Sequence, residues 1–310
     1  MNILVTGGAG YIGSLLVPNL LSQGHSVTVI DNFMYRQTSL ASSIRDKKLT
    51  LEFGDVRDES LMKESLSKAD LIIPLAAIVG APACDSDPIA AQSINKDSIL
   101  WLLRNLSPNQ RIIMPTTNSA YGSGDANNFC DENSPLNPLS LYARDKVTVE
   151  KALMELENAT SFRLATVFGI SPRMRLDLLV NNFVYRAVTD GFVIVFEGHF
   201  KRNYVHILDV IQAFNLAINH EIDFKGEIFN VGLSEANISK IDLCREIEAL
   251  IPSFTYLEAA LGKDPDQRNY VVSNQKIESL GFKSTVSLRS GLEELIKGLQ
   301  MFNHKPFTNI

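Results

Sequence analysis

The chain has 310 residues, enough for one large α/β domain or two smaller ones around a substantial buried core. Its composition is 45% hydrophobic and 21% charged, and its net charge of −6 comes without a run of Lys or Arg, which argues against nucleic-acid binding. No stretch reaches the roughly 18 apolar residues of a membrane span, and the scattered Cys84, Cys130 and Cys244 suit neither a disulfide framework nor a metal site, so we expect a cytoplasmic, metal-free protein.

Short apolar strands alternate with helical segments through the first half of the chain. The predicted strands are residues 3–5, 27–30, 49–53, 70–75, 112–114 and 162–167, and the predicted helices begin near Tyr11 and span about 88–106 and 140–157. This rhythm predicts βαβ units and a parallel, doubly wound α/β sheet. Right-handed crossovers then place the carboxyl ends of the strands at one edge, where open sheets of this kind bind ligands.

The rhythm is less regular after Phe168. Helices are predicted at 176–189, 207–217, 241–250 and 291–299, and strands at 193–195 and 227–231. We therefore expect a smaller α/β lobe interleaved in sequence with the sheet. In this division, residues 1–169 and about 205–232 form the sheet domain, and residues 170–204 and 233–310 form the lobe that binds substrate.

A glycine-rich segment follows the first strand. Gly7, Gly10 and Gly13 lie in VTGGAGYIGSLL, between that strand and the first helix. Glycines there permit a tight turn and a close approach of a pyrophosphate, which the helix N-terminus attracts. Asp31 ends the second strand and lies 18 residues after Gly13. This spacing is near the roughly 20 residues expected before an acid that binds a ribose 2′-hydroxyl. Because an acid opposes a 2′-phosphate, the pattern predicts a Rossmann fold that prefers NAD to NADP.

Tyr142 and Lys146, in SLYARDK, lie one turn apart on a predicted helix. A free phenol has a pKa of about 10, too high for a base at neutral pH. A nearby ammonium together with an oxidised nicotinamide can lower that pKa by stabilising the phenolate. Taken alone, the same spacing is also typical of a solvated helix face.

Together these motifs resemble the extended short-chain dehydrogenase/reductase family, and within it the NAD-dependent sugar-nucleotide epimerases and dehydratases. The resemblance also covers Gly54-Asp55-Val56, Leu75-Ala76-Ala77 and Thr117, which lies 25 residues before Tyr142. It implies that Tyr142 takes a sugar hydroxyl proton, that Thr117 holds the oxygen, and that Lys146 lowers the pKa of Tyr142 and binds the nicotinamide ribose. The implied cofactor contacts are Gly7, Gly10, Tyr11, Ile12, Gly13, Asp31, Asn32, Asp55, Val56, Leu75, Ala76, Tyr142 and Lys146. The implied substrate contacts are Thr117, Asn118, Asn181, Arg202 and Arg268.

Two positions bear on the reaction. In sugar-nucleotide 4,6-dehydratases the residues after the Thr resemble Asp-Glu, whereas this chain has Asn118 and Ser119, which supply no carboxyl group for elimination. The resemblance thus favours a 4-epimerase that retains NAD, in polysaccharide biosynthesis. A 4-dehydrogenase that releases a 4-keto sugar, for example from a GDP-linked heptose, stays open, as does a non-catalytic protein that senses NAD or a nucleotide.

The family's usual interface implies a homodimer built on helices 88–106 and 140–157, with two-fold symmetry. Apolar residues at helical spacing are candidates for the outer faces of these helices, although some must pack on the sheet. They are Ile99, Leu102, Leu103, Val147, Leu153 and Leu156. Two further features stay open: Arg173 and Arg175 could reach substrate or edge the cleft, and Cys84 has no sequence neighbour that would activate it.

Overall fold

A seven-stranded parallel sheet forms the centre of the molecule. The computed structural model describes residues 1–122, 129–259 and 268–301. The strands are β1 (Asn2–Thr6), β2 (Ser26–Asp31), β3 (Leu49–Phe53), β4 (Leu71–Pro74), β5 (Arg111–Thr117), β6 (Phe129–Cys130), β7 (Ala159–Leu164), β8 (Thr166–Phe168), β9 (Phe192–Val195), β10 (Lys201–His206), β11 (Glu227–Val231), β12 (Asn237–Ser239), β13 (Thr255–Glu258) and β14 (Val271–Val272).

Helices connect these strands. They are α1 (Gly13–Ser22), α2 (Glu59–Leu66), α3 (Ala81–Ser86), α4 (Pro88–Gln92), α5 (Ser98–Arg104), α6 (Leu141–Leu153), α7 (Leu179–Thr189), α8 (Ile207–Asn219), α9 (Glu221–Phe224), α10 (Lys240–Leu250), α11 (Gln275–Ser279) and α12 (Leu288–Leu299). A π-helix, Ser93–Asp97, joins α4 to α5, and 3-10 helices lie at Ala41–Ser43 and Asn118–Tyr121. None of the described helices is long and apolar enough to cross a membrane.

The strand order β11-β7-β5-β4-β1-β2-β3 confirms the predicted doubly wound sheet. Neighbouring strands in it are parallel. The chain first builds outward from β1 through β2 to β3, and then crosses to β4 on the other side of β1. The carboxyl ends of β1 and β4 therefore flank the switch point, which is where ligands bind in open α/β sheets.

Helices cover both faces of the sheet. Along β1, Ile3 and Val5 pack in a core cluster on one face, and Leu4 packs in a second cluster on the other. All three are at most 1% exposed. Side chains from α1 and α8 belong to the first cluster, and side chains from α2, α5 and α6 belong to the second. Burial on both sides explains why the central strands β1 and β4 are near-continuous apolar runs.

The apolar residues that were candidates for the outer faces of α5 and α6 are buried or partly buried within the subunit. Ile99, Leu102 and Leu103 of α5 and Leu153 of α6 are at most 7% exposed and belong to the second core cluster. Val147 is also buried, and Leu156 packs partly buried against the same cluster. The helical spacing of the residues in the second cluster reflects packing on the sheet, so it lends no support to a dimer interface. The homodimer itself stays a prediction.

One predicted strand, 162–167, is two strands in the structure. β7 belongs to the main sheet, whereas β8 pairs with β10 in a three-stranded sheet that also contains β12. Ala165 lies between them and donates its N–H to the Val231 carbonyl. The segment FRLATV contains no Gly, Pro or other turn signal to mark the point where the chain leaves the sheet. β11 returns to the main sheet beside β7, as predicted, and the division into two lobes stays a prediction.

Candidate active site

The glycine-rich turn packs closely against the end of β4. Gly7 has φ +67°, and a Cβ there would lie 2.6 Å from the Ala76 backbone nitrogen. A Cβ at Gly13 would lie 2.5 Å from the Gly8 carbonyl oxygen, at the first turn of α1. Side chains are therefore excluded from both positions. The backbone forms a cradle at a helix N-terminus, which suits a pyrophosphate.

Asp31 ties the end of β2 to this turn. Its Oδ2 accepts from the Ala9 N–H at 3.0 Å, and its Oδ1 accepts from the Phe33 N–H at 2.8 Å. Asp31 is 8% exposed and lines the cavity described next. Burial raises its pKa, while hydrogen bonds from Phe33 and Ala9 oppose that rise.

A cavity of about 450 Å³ lies along the carboxyl ends of the strands. All of the predicted cofactor residues line it, and so do most of the predicted catalytic and substrate residues. The predicted residues in its wall are Gly7, Gly10, Tyr11, Ile12, Gly13, Asp31, Asn32, Asp55, Val56, Leu75, Ala76, Thr117, Tyr142, Lys146, Arg202 and Arg268. One concave surface thus brings together residues that lie up to about 260 positions apart in the chain, as expected of a parallel α/β sheet.

Tyr142 and Lys146 lie on α6, whose N-cap is Ser140; its hydroxyl accepts from the Ala143 N–H. The Lys146 ammonium donates to the Pro115 carbonyl of β5 at 3.2 Å and lies 6.0 Å from the Tyr142 ring centroid. Burial lowers the pKa of Lys146 to about 8. Burial also raises the pKa of Tyr142 to about 12, against the opposing charges of Arg175 and Arg268. The protein groups alone therefore do not produce the lowered phenol pKa that the sequence suggested.

Thr117 ends β5 and caps the following 3-10 helix. Its Oγ1 accepts from the Ser119 N–H at 3.1 Å and lies 2.8 Å from the Ser119 hydroxyl. Arg268 donates from Nη1 to that same Ser119 hydroxyl at 2.5 Å. Three side chains of the cavity wall thus form one chain of hydrogen bonds, and Ser119 is its middle member.

A buried ion pair between α6 and β7 lies outside the cavity lining. Glu150 of α6 and Arg163 of β7 approach to 2.6 Å, with side chains 5% and 3% exposed. The carboxylate of Glu150 also accepts from the hydroxyls of Thr116 and Ser161. The Arg163 guanidinium donates in addition to the hydroxyl of Tyr121. This network fixes α6, and hence Tyr142 and Lys146, to strands β5 and β7.

Two predicted substrate residues do not line the cavity. Asn118 is fully buried, and both polar atoms of its amide lack a hydrogen-bond partner among the described residues. Asn181 donates to the Tyr11 hydroxyl and the Arg175 carbonyl, and accepts from the Gly169 N–H. Its amide holds the glycine-rich turn against the loop after β8. This geometry offers no support for a contact between Asn181 and a diphosphate.

Asn95 is a site residue that the sequence did not reveal. The π-helix places its side chain against the loop after β4, where Oδ1 accepts from the Ile78 N–H at 2.9 Å and Nδ2 donates to the Ile78 carbonyl at 2.8 Å. That loop lines the cavity from Leu75 to Ala83. The only sign of this role in the sequence was a polar residue, Asn95, inside the predicted helix 88–106. Cys84, beside Asn95, is buried, and burial raises the pKa of its thiol to about 11, which makes a thiolate nucleophile unfavourable.

The loop after β8 contributes two arginines whose role the sequence left open. Both line the cavity and are at most 8% exposed. The Arg173 guanidinium lies 4.3 Å from the ring centroid of Tyr35. Arg175 forms a 2.5 Å ion pair with Asp177 and donates to the Val79 carbonyl at 3.4 Å. The two arginines thus connect this loop to the segments after β2 and β4 across the cavity wall.

Known proteins resemble this chain along nearly its whole length. Low-salt glycan biosynthesis protein Agl12 of Haloferax volcanii is 26% identical over 306 residues, covering 96% of this chain and 97% of that protein. A putative UDP-glucose 4-epimerase of Methanocaldococcus jannaschii is 26% identical, covering 97% and 99%. The structure of UDP-glucuronic acid 4-epimerase from Bacillus cereus, in complex with UDP-glucuronic acid and NAD, superposes with a TM-score of 0.84 at 23% identity, covering 98% and 100%.

A family model gives the most direct assignment. The model described as the NAD dependent epimerase/dehydratase family matches residues 3–232. The match extends from β1 through the glycine-rich turn, Thr117, Tyr142 and Lys146 to the return of β11 into the sheet. The chain therefore belongs to the NAD-dependent epimerase/dehydratase family and is an NAD-dependent enzyme of sugar-nucleotide chemistry.

Proposed function

We propose that the protein is a sugar-nucleotide 4-epimerase, which oxidises carbon 4 of a nucleotide-linked sugar and then reduces it with inversion. The observation that carries this proposal is the single cavity lined by the glycine-rich turn, by Thr117, Tyr142 and Lys146, and by Arg202 and Arg268. These three groups of residues suit a dinucleotide, a reacting hydroxyl and a diphosphate respectively. The names of the M. jannaschii and B. cereus relatives support carbon 4 as the reacting position.

On the cofactor side, the turn at Gly7 to Gly13 and the N-terminus of α1 would hold the pyrophosphate of NAD. Asp31 would accept from the adenosine ribose hydroxyls, since Oδ2 keeps acceptor capacity beyond its bond from Ala9. NAD, when bound, supplies the hydride acceptor. Lys146 would bind the nicotinamide ribose, because its ammonium lies in the cavity wall beside Tyr142.

At the reacting carbon, the Tyr142 oxygen would accept the proton of the sugar hydroxyl while Thr117 hydrogen-bonds the same oxygen. Return of the hydride to the other face of the carbon, with return of the proton from Tyr142, gives the epimer. Arg202 and Arg268 would bind the diphosphate of the substrate, because a guanidinium donates two parallel hydrogen bonds to such a group.

Elimination of water is not part of the proposal. Asn118 and Ser119 carry no carboxyl group, and the Asn118 side chain is buried outside the cavity wall. The remaining alternative differs in what leaves the site, because a 4-dehydrogenase would release a 4-keto sugar and a 4-epimerase would not. The non-catalytic sensor of NAD or nucleotide that the sequence left open does not fit the family assignment, which is to an enzyme.

The test is incubation of the purified protein with UDP-, dTDP- and GDP-linked sugars, while NMR follows the configuration at carbon 4 and absorbance follows NADH. Formation of the 4-epimer without net NADH is the expected result. Net NADH together with a 4-keto sugar would identify the dehydrogenase instead. Failure to form a 4-epimer from any of these nucleotide sugars would overturn the 4-epimerase proposal. Tyr142→Phe is the inactive reference, and Tyr256→Phe, outside the cavity lining, is its matched control.

A further inference from the structure

The hydrogen bonds around Thr117 restrict what its hydroxyl can do. A hydroxyl has one proton and two lone pairs. The Ser119 N–H occupies one lone pair of Thr117 Oγ1, at 3.1 Å. The 2.8 Å contact between the two hydroxyls must then run in one of two directions: Ser119 donates to Thr117, or Thr117 donates to Ser119.

Arg268 decides the direction. A guanidinium donates and never accepts, so its 2.5 Å contact occupies a lone pair of the Ser119 oxygen. A charged donor on an oxygen makes that oxygen a poorer second acceptor and polarises its own O–H into a stronger donor. The favoured direction is therefore from Arg268 to Ser119 and from Ser119 to Thr117.

In that arrangement both lone pairs of Thr117 are occupied and its proton is the one left to point elsewhere. Thr117 and Ser119 are 8% and 5% exposed, and both line the cavity that also holds Tyr142. Among the described residues, Thr117 Oγ1 has its hydrogen bonds with Ser119, so its proton can be directed into the cavity.

We infer that Ser119 is a positioning residue: together with Arg268 it fixes the Thr117 hydroxyl as a hydrogen-bond donor aimed at the reacting oxygen of the sugar. This inference rests on the proposed function. No proton is transferred along the hydrogen bonds from Arg268 to Thr117, because Thr117 only donates a hydrogen bond. The proton of the sugar hydroxyl goes to the Tyr142 oxygen. The arrangement gives the two groups separate tasks, since Thr117 stabilises negative charge on the oxygen and Tyr142 moves the proton. It also makes the catalytic hydroxyl depend on an arginine 149 residues away from Ser119 in sequence.

The test is a double-mutant cycle on the rate of NADH formation in a single turnover. Thr117→Val keeps the shape of the side chain and should slow hydride transfer by about 100-fold, as expected for loss of a positioned donor. Ser119→Ala should slow it by about tenfold with little change in KM, since a neutral hydrogen bond contributes about that factor. In the Thr117→Val background, Ser119→Ala should have no further effect, because Ser119 acts only through Thr117.

Multiplied effects in the double mutant, or an unaltered rate in Ser119→Ala, would overturn the inference while leaving the proposed function intact. If the wild-type protein transformed no nucleotide sugar, the proposed function and this role would both be overturned. Ser119→Cys guards against a folding artefact, because its weaker thiol donor should give a rate between those of the wild type and Ser119→Ala at unchanged stability. Ser290→Ala is the matched control, since it removes a hydroxyl paired with Ser287 outside the cavity lining and should leave the rate unchanged.

Discussion

The ion pair between Glu150 and Arg163 allows a test of what holds α6, the helix of Tyr142 and Lys146, in place. We consider Arg163→Met, which keeps much of the volume of the side chain and removes the charge. The pair is 2.6 Å apart, and both side chains are at most 5% exposed. Arg163 also donates from Nε to both carboxylate oxygens, at 3.0 and 3.1 Å. The substitution therefore leaves the Glu150 carboxylate buried with only the hydroxyls of Thr116 and Ser161 as donors among the described residues.

Removing one partner of a buried ion pair typically lowers the free energy of unfolding by about 3–5 kcal/mol, because the remaining charge is uncompensated. We expect Arg163→Met to fall in that range in urea denaturation, with an unchanged m-value. Adding Glu150→Gln should restore part of the loss, because a neutral amide is less costly to bury and can still accept from Thr116 and Ser161. Activity should fall with stability, since Glu150 lies one turn after Lys146 on α6.

The matched control is Lys68→Met, which breaks a 2.8 Å ion pair with Glu64 on the surface of the molecule. Those side chains are 69% and 70% exposed, so solvent screens them and the free energy of unfolding should not change measurably. An Arg163→Met protein as stable as the wild type would refute the reasoning. A double mutant that is less stable than Arg163→Met alone would also refute it, because the cost would then come from lost packing and not from the stranded charge.

Four further predictions concern the cofactor, the base, the buried lysine and the assembly. Tyr142→Phe should abolish turnover and spare NAD binding in calorimetry, because only the phenolic oxygen is lost. Asp31→Ala should narrow the preference for NAD over NADP, and equal binding of both cofactors by the wild type would contradict the assignment. Folding lowers the pKa of Lys146 from 10.5 to about 8, so between pH 8 and 10.5 the unfolded chain binds more protons than the folded chain. The free energy of unfolding should therefore rise with pH across that range because of this group, and Lys146→Met should lose that rise. Light scattering should show a dimer, and a stable, active monomer at micromolar concentration would exclude it.

The cofactor side of the cavity was predictable because its constraints are local in sequence. The turn after β1 requires glycine where a Cβ would meet backbone, as at Gly7 and Gly13, and such positions are visible as a spacing. The position of Asp31 was predictable because β2 is short and a loop marks its end. The same holds for Tyr142 and Lys146, whose proximity needs only one turn of helix.

The rest of the site depends on contacts that no local pattern encodes. Ser119 meets Arg268 only because β5 and the segment before β14 come together in the fold. Asn95 reaches Ile78 because a π-helix interrupts the helix after β4, and the amino-acid pattern there fits an uninterrupted α-helix equally well. The apolar residues of α5 and α6 show the converse error: their spacing does indicate one face, but a single face can pack on a sheet or on a second subunit, and here it packs on the sheet.

The pKa values of Tyr142 and Lys146 show how burial and chemistry are connected at this site. Burial disfavours both charged forms, raising the pKa of the phenol to about 12 and lowering that of the ammonium to about 8. At neutral pH the protein groups therefore hold Tyr142 as a neutral phenol, although Arg175 and Arg268 favour the phenolate. In the proposed mechanism, Tyr142 would become a base only with further positive charge beside it, which oxidised NAD would supply and reduced NAD would not. On that proposal, the phenol would give up its proton most readily when a hydride acceptor is bound and would keep a proton after hydride transfer, which is the alternation that a 4-epimerase would require from this residue.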